Sequence, residues 1–271
     1  MTTRRFGVVS RVLRGGDLAA DAAAAARAGV DGMSVECSEV RRLGVRDARR
    51  LLDDAGLEVS SVISLGSAVQ CGATGPIDAE LAVLDDAAAL GATGVLASTG
   101  PRVHHTAADA DARCRAWLER LTPRAVDLDV VIMLEPMFPM MRAHTYVHTL
   151  AHALDIVAGI DGATVVIDTG HLWWDPRLVE LFAAHVDDIG IVQLTNMSSD
   201  ALDRLRYSRA PFADGEIPLR ELVEAFDDAG YEGWYENEVL TKEPQDREQF
   251  VRESREWFDS IWSERSPCAS T

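Results

Sequence analysis

One phrase recurs along this chain: a stretch rich in Ala, Leu, Asp and Arg, a Gly or Asp turn, then four to six mostly apolar residues. After an opening run in RRFGVVS it is read in AGVDGMSVE, AGLEVSSVIS, LGATGVLAS, DLDVVIMLE, IDGATVVID, VDDIGIVQL and AGYEGWYENE, which makes eight apolar runs. A glycine just past a helix end supplies a left-handed cap, and the β-branched run after it reads as a strand. The segments between, such as DLAADAAAAARA, VRDARRLLDDA, IDAELAVLDDAAAL and LRELVEAFDDA, carry Leu, Ala and Val at helical spacing beside charges and read as amphipathic helices. Strands alternating with helices favour a parallel sheet, so the class is α/β. Eight copies favour closure into a single (β/α)8 TIM barrel over an open doubly wound sheet, which usually has fewer strands and a reversal point. No run is followed by the GxGxxG of a dinucleotide site, and the RGGD near the first run is too short a match to count.

Length and composition agree with one barrel. A chain of 271 residues, 47% hydrophobic and 26% charged, is ordinary for a globular protein with a sizeable core. No Pro/Gly/Ser linker divides it, so residues 1–262 read as one barrel domain and 263–271, SERSPCAST, as a flexible C-terminal tail. With 44 acidic against 26 basic residues the net charge is -18, a field that repels polyanions and argues against nucleic acid as a partner. Cys37, Cys71, Cys114 and Cys268 are scattered, without a CxxC pair, as reduced thiols of a cytoplasmic protein would be. The first apolar stretch breaks at Ser10 and Arg11, too early for a signal peptide, and no run is long enough to span a membrane.

Four polar side chains stand near the ends of the fifth to eighth runs: Glu135 in VVIMLEPM, Asp168 in ATVVIDTGH, Gln193 in DIGIVQLTN and Glu238 in GWYENEVL. In a barrel these positions lie side by side across one arc of the mouth. A carboxylate ending a buried strand is costly unless paired or bound to a metal, and this oxygen-rich set suits Mn or Mg better than Zn. The bland alternative for any one of them is a helix N-cap or a rim charge; four at corresponding repeats weaken it. His171 follows Asp168 in DTGH, close enough to face the same pocket, although a capping or packing histidine would look alike. Trp173 and Trp174 come next and either wall a pocket or simply pack. Arg209, in YSRAPFADGEIPL, offers two donors to a substrate oxygen unless it is a surface arginine. His104 and His105 after the fourth run read as solvated, and Glu36, ending the second, as a substrate contact. Glu236, two residues before Glu238, shares its strand face, so a different register exchanges their roles.

At these residues the chain resembles the sugar phosphate isomerase/epimerase family, the xylose isomerase-like TIM barrels. The resemblance runs from AGVDGMSVE to GYEGWYENE and is strongest in LEPMFPM, VVIDTGHLWWDP, SRAPFADGEIPL and GYEGWYENE. It implies one divalent metal ion, Mn or Mg with Co as a further candidate, on Glu135, Asp168, Gln193 and Glu238, with His171 and Arg209 on substrate oxygens. Gln193 departs from the family's commoner histidine. Its amide oxygen still suits a hard cation, and branches resembling hydroxypyruvate isomerase and 3-dehydroshikimate dehydratase carry glutamine in a similar phrase. The WWDP phrase also resembles members that cleave oxidised C-glycosides by elimination.

The chemistry so implied is proton abstraction beside a carbonyl through a metal-stabilised enediolate. Glu135 and Glu238 on opposite faces of a small sugar-like substrate give isomerisation or epimerisation, with one removing and the other returning the proton. A leaving group β to the carbanion turns the same site into a dehydratase or carbon-oxygen lyase, with His171 as the acid. No glycine-rich phosphate loop with a nearby Lys follows the seventh or eighth run, so a phosphorylated substrate is not indicated. A metal-free binding protein on a degenerate barrel is the alternative from another class. By family analogy the outer helices serve as a homodimer surface.

Overall fold

The computed structural model describes residues 4–14, 16–66, 68–198, 209–240 and 246–265. The eight apolar runs form the barrel strands β1 (Arg5–Val9), β2 (Gly32–Glu36), β3 (Glu58–Leu65), β4 (Gly94–Ala97), β5 (Val131–Leu134), β6 (Ala163–Asp168), β7 (Ile189–Leu194) and β8 (Trp234–Asn237). Buried on both faces, such strands must satisfy every backbone group through ladder neighbours. They do so by parallel pairing in chain order, and β1 pairs with both β2 and β8 to close the ring.

The helices between strands lie outside, as their patterning requires. Leu18–Ala28 buries Leu18, Ala22, Ala25 and Ala28, and Leu219–Asp228 buries Leu219, Leu222, Val223 and Phe226. Gly29 (φ 78°) and Gly91 (φ 69°) adopt the left-handed caps that let the chain turn from helix to the next strand. The last helix runs to Arg265, into the segment expected to be a tail, and 266–271 lie outside the described residues, as does Cys268. Among the described residues no helix is long and apolar enough to cross a membrane.

Alternation along β8 sets the axis of the barrel. Tyr235 and Asn237 face outward: the Tyr235 ring packs at a tilt against Phe258, and Asn237 donates to Ser254 Oγ at 2.9 Å, both partners on the C-terminal helix. Trp234, Glu236 and Glu238 therefore climb the inner wall, from an apolar floor to the mouth. Room for the Trp234 ring comes from Gly32, where a Cβ would sit 2.7 Å from it.

Candidate metal centre

The sequence directs charge to one end of this barrel because β5, β6 and β7 change from Val, Ile or Leu, and β8 from Trp and Tyr, to polar residues at or just past their C-terminal ends. Glu135 immediately follows β5, Asp168 ends β6, Gln193 is the penultimate residue of β7, and Glu238 immediately follows β8. All four side chains are buried. Asp168 and Gln193 are register partners across β6 and β7, so their side chains stand abreast on the wall.

Asp168 is central. Its Oδ1 accepts from Gly170 N at 2.8 Å, which fixes the turn after β6 and swings His171 back into the mouth. His171 Nε2 then lies 3.5 Å from Asp168 Oδ2 and 3.8 Å from Glu135 Oε1, and ligand atoms of Glu135, Asp168 and His171 all fall within 4.8 Å of one another. Arg209 bridges two carboxylates, with one nitrogen 3.4 Å from Asp168 Oδ2 and another 4.0 Å from Glu238 Oε2.

Burial dominates the electrostatics. It pushes Glu135 up to about 8, with the neighbouring Asp168 charge adding to the rise and Arg209 and Arg11 opposing it. Burial likewise raises Glu238 well above the usual carboxylate range, opposed by Arg209 and reinforced by Asp168, Glu135 and Glu236. His171 is lowered, chiefly by burial, and is held up in part by Asp168. Three carboxylates desolvated together against one guanidinium form a site short of positive charge, which a divalent cation would supply. The orphaned atoms fit as well: Gln193 Oε1 and Glu238 Oε2 are buried and make no hydrogen bond.

Arg209 reaches the cluster on a two-stranded antiparallel hairpin of Asn196–Met197 and Arg209–Ala210, where Met197 pairs with Arg209. Asn196 pins the base of that hairpin. Its amide donates to Phe212 O at 2.9 Å, and its Oδ1 accepts from Ile217 N at 2.8 Å. Thr169 braces the neighbouring strand ends, donating to Thr195 O and accepting from Thr195 N, both at 2.8 Å. Phe138 stacks on His171, with centroids 6.0 Å apart and planes at 16°, and Trp174 Nε1 donates to His171 O at 2.8 Å.

The mouth therefore gathers Glu135, Asp168, Gln193, Glu238, His171 and Arg209. Trp173 is half-buried and packs on the core beside it. Glu36 pairs with Arg11 at the ends of β1 and β2, outside the cluster. His104 is exposed on a left-handed backbone (φ 66°), and His105 pairs with Asp109. Glu236 sits one layer deeper than Glu238, fully buried and held by Ser60 and Gln193, so the two do not exchange places. Burial also raises Glu236, to about 7, against hydrogen bonds that lower it. Sequence reasoning passed over Phe138, Thr169, Thr195, Asn196 and Ser60. Only the TN that follows Gln193 and Leu194 and the aromatic in EPMF gave any signal for them.

Residues 22–261 match the family described as the xylose isomerase-like TIM barrel. The chain belongs to that family. A search of curated proteins returns no match. Among solved structures, protein SMc04130 from Sinorhizobium meliloti 1021 is similar at 23% identity and a TM-score of 0.84, covering 94% of this chain and 98% of that one. The apo 3-keto-D-glucoside 4-epimerase YcjR from E. coli is similar at 15% identity and a TM-score of 0.78, covering 95% and 100%. The IolI protein with a bound zinc atom is similar at 16% identity and a TM-score of 0.80, covering 96% and 98%. At these identities the likeness to this xylose isomerase-like barrel is one of fold.

Proposed function

We propose that this protein is a divalent-metal-dependent isomerase or epimerase that moves a proton beside the carbonyl of a small polyhydroxy ketone or aldehyde. The observation that carries the reading is the convergence at the β5–β8 mouth of three buried carboxylates on one guanidinium and one imidazole. That YcjR is a keto-glucoside epimerase and IolI carries zinc supports the class of substrate and the use of a metal.

Glu135, Asp168, Gln193 and Glu238 would hold the cation, which suits Mn or Mg, with Co as a further candidate. When bound, such an ion polarises a substrate carbonyl and lowers the cost of negative charge on its oxygen. The chain's own groups perform the proton transfers. Glu135 and Glu238, both buried at the mouth, are the groups placed to take a proton from carbon and to give one back. One of them, ionised, removes the proton from the carbon next to the carbonyl, and the other, protonated at the outset, delivers its own proton to the opposite face or to the neighbouring carbon. Arg209 and His171 hold hydroxyl or carbonyl oxygens in place, and Phe138 and Trp173 keep bulk water from that end of the site.

A carbon-oxygen lyase is the second reading, favoured by the position of His171. Its Nε2 lies between Asp168 and Glu135, where a proton on it could pass to a group leaving from the β carbon. Incubation of the Mg-reconstituted protein with a panel of keto sugars in deuterated water, read by mass spectrometry, tests both. One deuteron gained at the α carbon with the skeleton intact is expected. Loss of water or of an aglycone favours the lyase, and no exchange across the panel contradicts catalysis and leaves a binding barrel.

A further inference from the structure

On the inner wall below Glu238 lies Glu236, a buried carboxylate that the proton-transfer scheme does not use. Glu236, Gln193 and Asp168 are consecutive register partners on β8, β7 and β6, and all three side chains are fully buried. Glu236 accepts on both oxygens: Ser60 Oγ donates to Oε1, and Gln193 Nε2 donates to Oε2 at 3.1 Å. Ser60 reaches it from across the barrel, past β1 and β2. Two features open that path. The register of β2 and β3 skips from Met33–Val59 to Ser34–Ser61, which makes Ser60 an extra residue in a bulge and re-aims its side chain. Gly7, the register partner of Glu236, has no side chain in the way; a Cβ there would stand 3.1 Å from Gly32 O and 3.6 Å from Ser60 Oγ.

A side-chain amide has two unlike ends, and a carboxylate accepts but does not donate. With its NH2 end drawn down to Glu236, Gln193 must present its carbonyl end elsewhere. That atom, Oε1, is buried and makes no hydrogen bond. We propose that Glu236 is a positioning residue that, anchored by Ser60, locks the Gln193 amide so that Oε1 is turned to the cation site beside Asp168. The inference rests on the metal-binding reading above. It gives the glutamine the fixed orientation that an outer hydrogen bond ordinarily gives a metal-binding side chain, and loss of such partners typically costs roughly 10- to 100-fold in metal affinity.

The test is titration of the metal-free, substrate-free protein with Co2+ alone, followed by calorimetry and by the visible spectrum of the bound ion. Glu236→Gln keeps an acceptor for Gln193 and is expected to bind Co2+ like the wild type, with the same spectrum. Glu236→Met, of similar volume and without an acceptor, is expected to bind about 10- to 100-fold more weakly with a shifted spectrum. In a Gln193→Leu background, Glu236→Met should cost nothing further, because its effect passes through the amide. Unchanged affinity in Glu236→Met, or an equal loss with and without Gln193, overturns the inference. If Glu236→Met does not fold, Gln193→Leu alone must show the same loss, and unchanged affinity there overturns it too. Asp168→Asn separates the two levels. If it loses Co2+ while Glu236→Met does not, only the positioning role fails; if the wild type takes up no Co2+, the metal reading fails and the inference with it.

Discussion

Single side chains of the same type do different work in this barrel. Glu135 and Glu238 are near-isosteric carboxylates buried at the mouth, and each is expected to handle a proton. Glu135→Gln or Glu238→Gln should therefore lower turnover by roughly 100- to 10,000-fold, the usual worth of a positioned acid or base. Steady-state kinetics checks this, and a loss below about tenfold in both would contradict the assignment. Gln193→His should retain metal, since imidazole also ligates divalent ions; metal loss in that variant argues against position 193 as a ligand. These residues were legible in the sequence because an acid at the end of an apolar run is conspicuous. Glu236 was visible only as a rival to Glu238. Its distinct role depends on Ser60, 176 positions away in sequence, and no local pattern announces a contact made across the barrel.

Among elements, the strands and outer helices follow directly from period and caps, whereas the hairpin that delivers Arg209 does not. Its strands are two residues long, and it is held by one asparagine filling the space left by a glycine. At Gly215 a Cβ would fall 2.0 Å from Asn196 Cγ, far inside contact distance. Gly215→Ala is thus expected to displace Asn196 and with it the base of the Arg209 hairpin. Misplacing a substrate-holding group by about 1 Å can cost on the order of 100-fold in activity, so kcat/KM should fall by that order while metal content is kept. Asn196→Ala should reproduce the effect, and wild-type kcat/KM in both would contradict the pinning role. The turn chemistry was present in TNM and ADGEIP, but a steric fit between two loops is settled only when the barrel brings them together.

For the whole molecule, the concentration of acid inside a barrel that already carries a net charge of -18 has a thermodynamic consequence. Glu135 and Glu236, pushed up to about 8 and about 7 chiefly by burial, bind protons more tightly folded than unfolded. Their contribution to stability is full below the ordinary carboxylate pKa and is lost as pH rises through about 7 to 8. Chelator-treated protein is therefore expected to lose on the order of 10 °C in Tm between pH 5 and pH 8. Glu135→Gln should flatten that slope and saturating Mg2+ or Mn2+ should offset it, because the ion binds the folded, deprotonated site. Thermal melts across this range check it, and a Tm that rises toward pH 8 without metal would contradict it. The central claim, that the β5–β8 mouth is built around a divalent cation, is tested most directly by metal stoichiometry. After chelation, reconstitution with Mn2+ and desalting, elemental analysis should find about one ion per chain in the wild type and almost none in Asp168→Ala. Equal metal content in the two proteins, or none in the wild type, would contradict it.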